Sequence, residues 1–372
     1  MIPVNEPLLD GNELRYVTEC VKSGWISSEG PFVERLEAEF SGSVGRKYGV
    51  AVSNGTAALQ LAIEALELSP GDEIIVPSFT IISCASCLVR LGLKPVPIDC
   101  DPRTMNSEVT HFEAAITART RAIMVVHIYG LPVDMDPILD LAATHNLRVI
   151  EDAAEVIGQY YKDRPCGSFG DISVVSFYPN KHVTTGEGGM VLSDDLQLVN
   201  RVKTLRNLAF IPPRRFVHEE LGWNYRMTNL QAAIGVAQLE QLDRNVALKR
   251  EIGRRYTLAF KDVPGIDLPV SQTSYAHNIY WVYTIVLGEI YPVDADQVMT
   301  ELAMRGIGAR PFFWPLHEQP VLRRIFPEYK NLKLPVSERL ARKGFYIPSG
   351  LGLSVEKIDE VSGIVQDVIK KL

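Results

Sequence analysis

The sequence predicts an α/β chain: a large domain on a mostly parallel, mixed sheet flanked by helices, followed by a smaller α+β domain. Three observations carry that prediction. Between residues 48 and 193 short β-rich runs alternate with helical ones, the pattern of strands joined by crossovers. After Asp194 the character changes to long helices. A chain of 372 residues with 46% hydrophobic content can also bury one large core and a smaller second one.

Taken in order, strands are expected at 48–52, 73–77, 94–98, 122–127, 148–152, 172–177 and 190–193. Among the intervening helices, 56–66 (TAALQLAIEAL) is apolar all round, as a helix packed deeply on a sheet must be, and 137–145 is more amphipathic. Helices follow at 196–205 and 229–239. A charged one at 243–260 reads as a connector, so the large domain is assigned to residues 1–245 and the small one to 246–372. The latter holds a strand-like run at 279–287, a helix at 294–305 and a closing amphipathic helix at 355–372. No repeat or flexible linker intervenes, so the two parts are expected to pack closely.

Composition removes several classes of function. A net charge of −7 argues against a sequence-independent nucleic-acid binder, while leaving room for a local basic pocket for one anionic small molecule. The amino terminus has no basic region followed by an apolar run, and no apolar stretch reaches membrane-spanning length, which predicts a cytoplasmic protein. Five scattered cysteines suit free thiols better than a disulfide framework. The single C-x-x-C, Cys84 and Cys87, falls in an apolar helical stretch and reads as core, so no metal site is expected.

In a parallel α/β sheet, ligands gather beyond the carboxyl ends of the strands. Four such places stand out. Ser53-Asn54-Gly55-Thr56 opens a helix whose unpaired amides suit a phosphate, although an ordinary N-cap would look the same. Glu151-Asp152-Ala153-Ala154-Glu155 ends a strand with carboxylates that need a cationic partner or a structural ion pair. Lys181 follows a strand and precedes the glycine-rich Thr185-Gly186-Glu187-Gly188-Gly189, so it is either a reactive amine in a cleft or a surface lysine. Asn224-Tyr225-Arg226-Met227-Thr228 precedes a helix; Arg226 could fork onto a carboxylate or phosphate, or Thr228 simply caps. Their order is more informative than any one of them. A phosphate cup, an acid and then a lysine, all at strand ends, match the phosphate, ring nitrogen and aldehyde of pyridoxal 5′-phosphate (PLP).

With those residues in view, the chain resembles the DegT/DnrJ/EryC1/StrS sugar aminotransferases, PLP-dependent transferases of fold type I. The likeness runs through SNGTAAL (53–59), GDEIIVPSFT (71–80), EDAAE (151–155), SFYPNKHVTTGEGG (176–189) and NYRMTNLQAAIG (224–235). Within the family, LDGNE (9–13), GWISSEG (24–30) and ARPFFWPLH (309–317) are most similar to members that form GDP-perosamine. Those aminate the C4 ketone of GDP-4-keto-6-deoxymannose, with L-glutamate as donor.

The resemblance implies that Lys181 holds PLP as a Schiff base and then serves as acid and base. It implies Asp152 at the pyridine nitrogen, Glu155 near the phenolic oxygen, and Gly55, Thr56 and Ser176 at the phosphate. Asn224 would reach that phosphate from a neighbouring subunit, making a homodimer with shared sites. Ser27, Ser28 and His317 are the implied substrate contacts, with Arg226 as a further candidate. Two departures stand out: Ile81 occupies the place of an aromatic residue that stacks on the PLP ring, and Leu208-Ala209 stands where relatives often carry a glycine.

Three rival readings are weaker. A 3-dehydratase of the same fold has histidine in place of the lysine, a non-catalytic sensor would have lost Lys181 or Asp152, and an NAD-binding Rossmann enzyme would show G-x-G-x-x-G after its first strand.

Overall fold

Short, continuously apolar strands produce a sheet buried on both faces. The computed structural model describes residues 1–372. In chain order the strands are β1 (Tyr48–Val52), β2 (Glu73–Pro77), β3 (Lys94–Ile98), β4 (Thr120–Val126), β5 (Arg148–Asp152), a short hairpin of β6 (Tyr160–Tyr161) and β7 (Arg164–Pro165), then β8 (Ile172–Ser176) and β9 (Gly189–Ser193). On β4, Ala122, Met124 and Val126 enter one core while Ile123 and Val125 enter the other. Covered on both sides, such strands read as unbroken apolar runs.

The seven-stranded sheet has the spatial order β1-β9-β8-β5-β4-β2-β3. Only β9 is reversed, pairing antiparallel with both β1 and β8. The predicted mostly parallel, mixed sheet is therefore present, with strand ends within two residues of expectation. The largest discrepancy is the start of β4, which begins at Thr120 because a register irregularity beside Glu73 brings these two polar residues opposite each other. No apolar pattern signals such a pairing.

Two helices precede β1 that alternation did not reveal, α1 (Glu13–Ser23) and α2 (Pro31–Ser43). The first buries only Tyr16 and Cys20 of its apolar residues, one narrow stripe, and the second starts on Pro31, whose missing N–H costs nothing at a first helical position. Then come α3 (Gly55–Ala65), α4 (Ser83–Arg90), α5 (Val109–Ala114), α6 (Met135–His145), α7 (Leu196–Arg206), α8 (Asn229–Leu239) and α9 (Leu242–Phe260). Helix α8 opens with a capping box of Thr228 and Gln231, and α1 and α2 pack on it.

The chain ends in a smaller unit around a second, antiparallel sheet, β10 (Ile266–Asp267), β11 (Tyr283–Leu287), β12 (Arg310–Pro311) and β13 (Gly344–Ile347), in the order β10-β11-β13-β12. Its longer helices are α10 (Ala295–Met304), α11 (Pro320–Ile325), α12 (Pro335–Lys343) and α13 (Val355–Ile369). The strand-like run at 279–287 pairs only from Tyr283, since Tyr280 takes a left-handed φ of 50° and its N–H donates to Asn278 Oδ1 at 2.6 Å. The lead-in residues Trp281 and Val282 pack instead into the core of the large sheet, as do Phe312 and Leu316. Ile2 pairs with Ile307 and packs with the smaller core.

Candidate active site

The carboxyl ends of β1 and β8 flank the start of β9, that of β5 lies next to β8, and the loops leaving these strands help enclose a cavity of about 680 Å³. Gly55, Thr56, Ile81, Asp152, Glu155, Ser176 and Lys181 all line it.

One end is built for an anion. Asn54 Oδ1 caps α3 by accepting the Ala57 N–H at 2.8 Å, while the N–H groups of Gly55 and Thr56 find no partner within the chain. A Cβ on Gly55 would lie 2.8 Å from Ser176 Cβ and 3.0 Å from its Oγ, so only glycine lets the amide and that hydroxyl converge. Thr56 Oγ1 lies 2.9 Å from Ser83 Oγ at the start of α4, adding two more hydroxyls. Unpaired amides at a positive helix end, ringed by hydroxyls, suit a phosphate.

Deeper in, two carboxyls and an amine share the cavity wall. Burial pushes the Asp152 carboxyl above its usual range, against the pull of the Ala154 N–H at 3.1 Å and of Lys181. Burial raises Glu155 to about 8, against Lys181 and the Tyr129 N–H at 2.9 Å. The Lys181 amine makes no hydrogen bond or ion pair. Its pKa is pushed down by burial, and Glu155 and Asp152 only partly counter that. Such mutual perturbation inside a cleft is the pattern expected of a site that does chemistry.

The donor set fits PLP. Its phosphate matches the α3 cradle, its ring nitrogen an underpaired Asp152, and its aldehyde a free Lys181 amine.

Other candidates lie off the cavity. Asn224 is exposed, and its Oδ1 accepts from Arg226 Nε at 3.1 Å. Ser27 and Ser28 sit in the loop between α1 and α2, where the Ser27 carbonyl accepts the Asn229 N–H at 2.6 Å. His317 is fully buried: its Nε2–H donates to Glu338 Oε1 at 3.2 Å and its Nδ1 accepts from Ser78 Oγ at 2.8 Å. Burial holds its pKa down, which fits a neutral ring making both bonds. The cavity also takes residues the sequence reading passed over, namely Ser83, Tyr178, Trp281, Phe313 and Tyr346. Tyr178 and Phe313 stood inside quoted motifs; Trp281 and Tyr346 come from distant segments and carried no local signal.

Residues 7–366 match the DegT/DnrJ/EryC1/StrS aminotransferase family. The chain belongs to that family. It is 42% identical to the GDP-perosamine synthase of Caulobacter vibrioides over 371 residues, 99% of this chain and 98% of that one. It is 37% identical to a UDP-N-acetyl-3-dehydro-α-D-glucosamine 3-aminotransferase of Acidithiobacillus ferrooxidans over 336 residues, 89% and 87% of the two chains. The structure of the aminotransferase TlmJ from Streptoalloteichus hindustanus matches with a TM-score of 0.92 at 30% identity, covering 100% of this chain and 99% of that one. Like its family, this sugar aminotransferase depends on PLP.

Proposed function

We propose that the protein transfers the amino group of L-glutamate to the C4 ketone of GDP-4-keto-6-deoxy-D-mannose, giving GDP-perosamine, in the cytoplasm and for lipopolysaccharide O-antigen synthesis. The observation that carries the chemistry is the free Lys181 amine facing two buried carboxyls beside an open phosphate cradle. The sugar rests on the 42% identity, along nearly both full lengths, to a GDP-perosamine synthase.

Bound PLP would supply an aldehyde carbon able to carry the amino group from glutamate to the keto sugar, and a ring that accepts electrons during the transfer. In this proposal Lys181 is the catalytic residue. Tethered beside the reacting carbon, it removes a proton there and returns it to the carbon on the other side of the nitrogen, with the advantage of fixed proximity. Asp152, as carboxylate, holds a proton on the ring nitrogen. Glu155, whose carboxyl burial raises to about 8, sits near the ring's phenolic oxygen. Ile81 packs on the ring face, and the Gly55 and Thr56 amides with Ser176 fix the phosphate. His182, which would matter to a dehydratase, is buried and turned away, with its Nε2–H on the Ile279 carbonyl at 3.2 Å.

Asn224, Arg226, Ser27 and Ser28 are accessible but off their own chain's cavity, which supports a homodimer in which these residues complete the partner's site. Exposed Trp25, Ile26, Phe216, Leu221 and Trp223 in the same loops provide apolar surface for it. Mixing Lys181→Ala with Asn224→Ala protein restores activity if sites are shared, and does not if each chain works alone.

The substrate is tested by offering GDP-, UDP- and dTDP-linked 4-keto-6-deoxy sugars, and a UDP-linked 3-keto sugar, with PLP and glutamate, and following product mass. Amination of the GDP sugar alone supports the proposal. Amination of a UDP-linked 3-keto sugar instead would favour the activity of the 37% relative.

A further inference from the structure

The Lys181 amine lies over an aromatic face. Its Nζ lies 3.7 Å from the centroid of the Trp281 ring. Trp281 is 5% exposed, lines the same cavity, and is anchored at two points. The indole Nε1–H donates to the carbonyl of Asn180, the residue before the lysine, at 2.9 Å. The Trp281 carbonyl accepts from Lys249 Nζ on α9 at 2.7 Å, and that amine also donates to the Ser349 carbonyl at 2.5 Å. Segments before β11, after β13 and on α9 thus converge to hold one ring over one amine. Any large apolar side chain would fill this space, but an indole face also attracts an ammonium over a neutral amine.

We propose that Trp281 is a positioning residue for Lys181, its ring being the resting place of the amine whenever the amine is not covalently engaged. This rests on the reading of Lys181 as the catalytic amine. When Lys181 takes a proton from a substrate carbon its amine becomes an ammonium, and it returns to an amine when that proton is delivered to the carbon on the other side of the nitrogen. The indole favours the charged form between the two transfers and keeps it beside the carbons concerned. Burial disfavours the charge on Lys181 and Glu155 and Asp152 favour it; that charge in turn helps push Lys249 and His182 down, and Tyr178, Glu187 and Tyr346 complete the wall. None of these supplies a surface stacked on Nζ.

The test uses PLP-free full-length protein with Trp281→Leu and Trp281→Phe, both checked by circular dichroism. Competitive chemical labelling across pH, read by mass spectrometry on the Lys181 peptide, gives the pKa of that amine without any turnover. Trp281→Leu is expected to lower it by about 0.5 to 1.5 units, with Trp281→Phe in between. With PLP restored, the single-turnover rate with glutamate is expected to fall about fivefold to tenfold in the Leu variant at unchanged glutamate KM, with partial rescue by Phe. An unmoved pKa in a folded Leu variant overturns the proposal, as does a Leu variant indistinguishable from Phe. If the Leu variant does not fold, an unshifted pKa in the Phe variant does the same. Full amination by Lys181→Ala would instead overturn the catalytic reading and leave the labelling result intact.

Discussion

Glu151 and Asp152 are chain neighbours on β5, both buried, and strand geometry sends them to opposite faces of the sheet. Glu151 meets donors on both oxygens. Its Oε1 accepts from His127 Nε2–H at 3.1 Å and Gly167 N–H at 2.6 Å, and its Oε2 from Phe169 N–H at 2.7 Å. His127 Nδ1 in turn accepts the Val133 N–H at 3.0 Å, which fixes its proton on Nε2. Asp152 has one ordinary donor, the Ala154 N–H, and one weak one, the Cys84 thiol at 3.6 Å. Its remaining capacity faces the cavity. A buried acid that the chain has satisfied holds the fold, and one left underpaired awaits a ligand.

Substitution separates the two most sharply. Lys181→Ala and Asp152→Asn are expected to leave the fold intact while removing amination, completely for Lys181 and by about 10²- to 10⁴-fold for Asp152. Without PLP, Asp152→Asn should be at least as stable as the parent, because it removes a buried charge that nothing fully offsets. Glu151→Ala should do the reverse. Three donors lose their acceptor, costing about 3–5 kcal/mol by denaturant midpoint, with activity per folded molecule kept. Equal stability losses at both positions would erase the distinction.

The next contrast is in pH. Glu155 is raised from 4.5 to about 8 in the folded chain, so between those values the native state holds a proton that the unfolded chain has lost. Its stabilising contribution is present below about 4.5 and is lost as pH rises through 8, at up to about 1.4 kcal/mol per pH unit. Lys181, lowered in the fold, works in the opposite sense as its own deprotonation begins. The difference between PLP-free parent and Glu155→Gln therefore isolates the carboxyl. The variant should lose less stability between pH 5 and 8 in thermal unfolding, and parallel curves would show that Glu155 is ionised in the fold.

Much of this arrangement was legible in the sequence because it is local. Strands announce themselves as short β-rich runs between helical ones, and the lysine by its place between a strand end and a glycine run. Asn54 satisfies both readings of its motif at once, since it caps α3 and the Gly55 and Thr56 amides stay free. What stayed hidden depends on long-range packing. The text EDAAE does not say which acid finds His127. Trp281 reaches Lys181 across 100 positions, and His317 sits in a family-like run yet turns into the protein. Leu208 and Ala209, flagged for a missing glycine, both take left-handed φ values, 59° and 52°. Room for that corner comes from Gly222, where a Cβ would lie 2.3 Å from the Ala209 nitrogen. Supplying space from the opposite side of a turn leaves no mark at the turn itself.

Cys84 provides the smallest and finest test of the Glu151–Asp152 contrast. Its thiol, held protonated by burial, donates to Asp152 Oδ2, and Thr80 Oγ1 lies 3.5 Å from the same sulfur. A thiol is a weak donor, so it fixes the carboxylate's orientation while leaving most of its basicity for a ring nitrogen. Cys84→Ser puts a stronger donor in that place, though on a shorter bond to the side-chain oxygen. If the hydroxyl reaches Asp152, it competes with the ring nitrogen, and amination should fall by about threefold to tenfold with little change in stability. Cys84→Ala removes the donor and makes Asp152 more basic but less fixed, so PLP should bind with near-parental affinity and amination should fall less than in Ser. If Ser and Ala behave alike, the thiol is only filling space, and the underpairing of Asp152 owes nothing to its choice of neighbour.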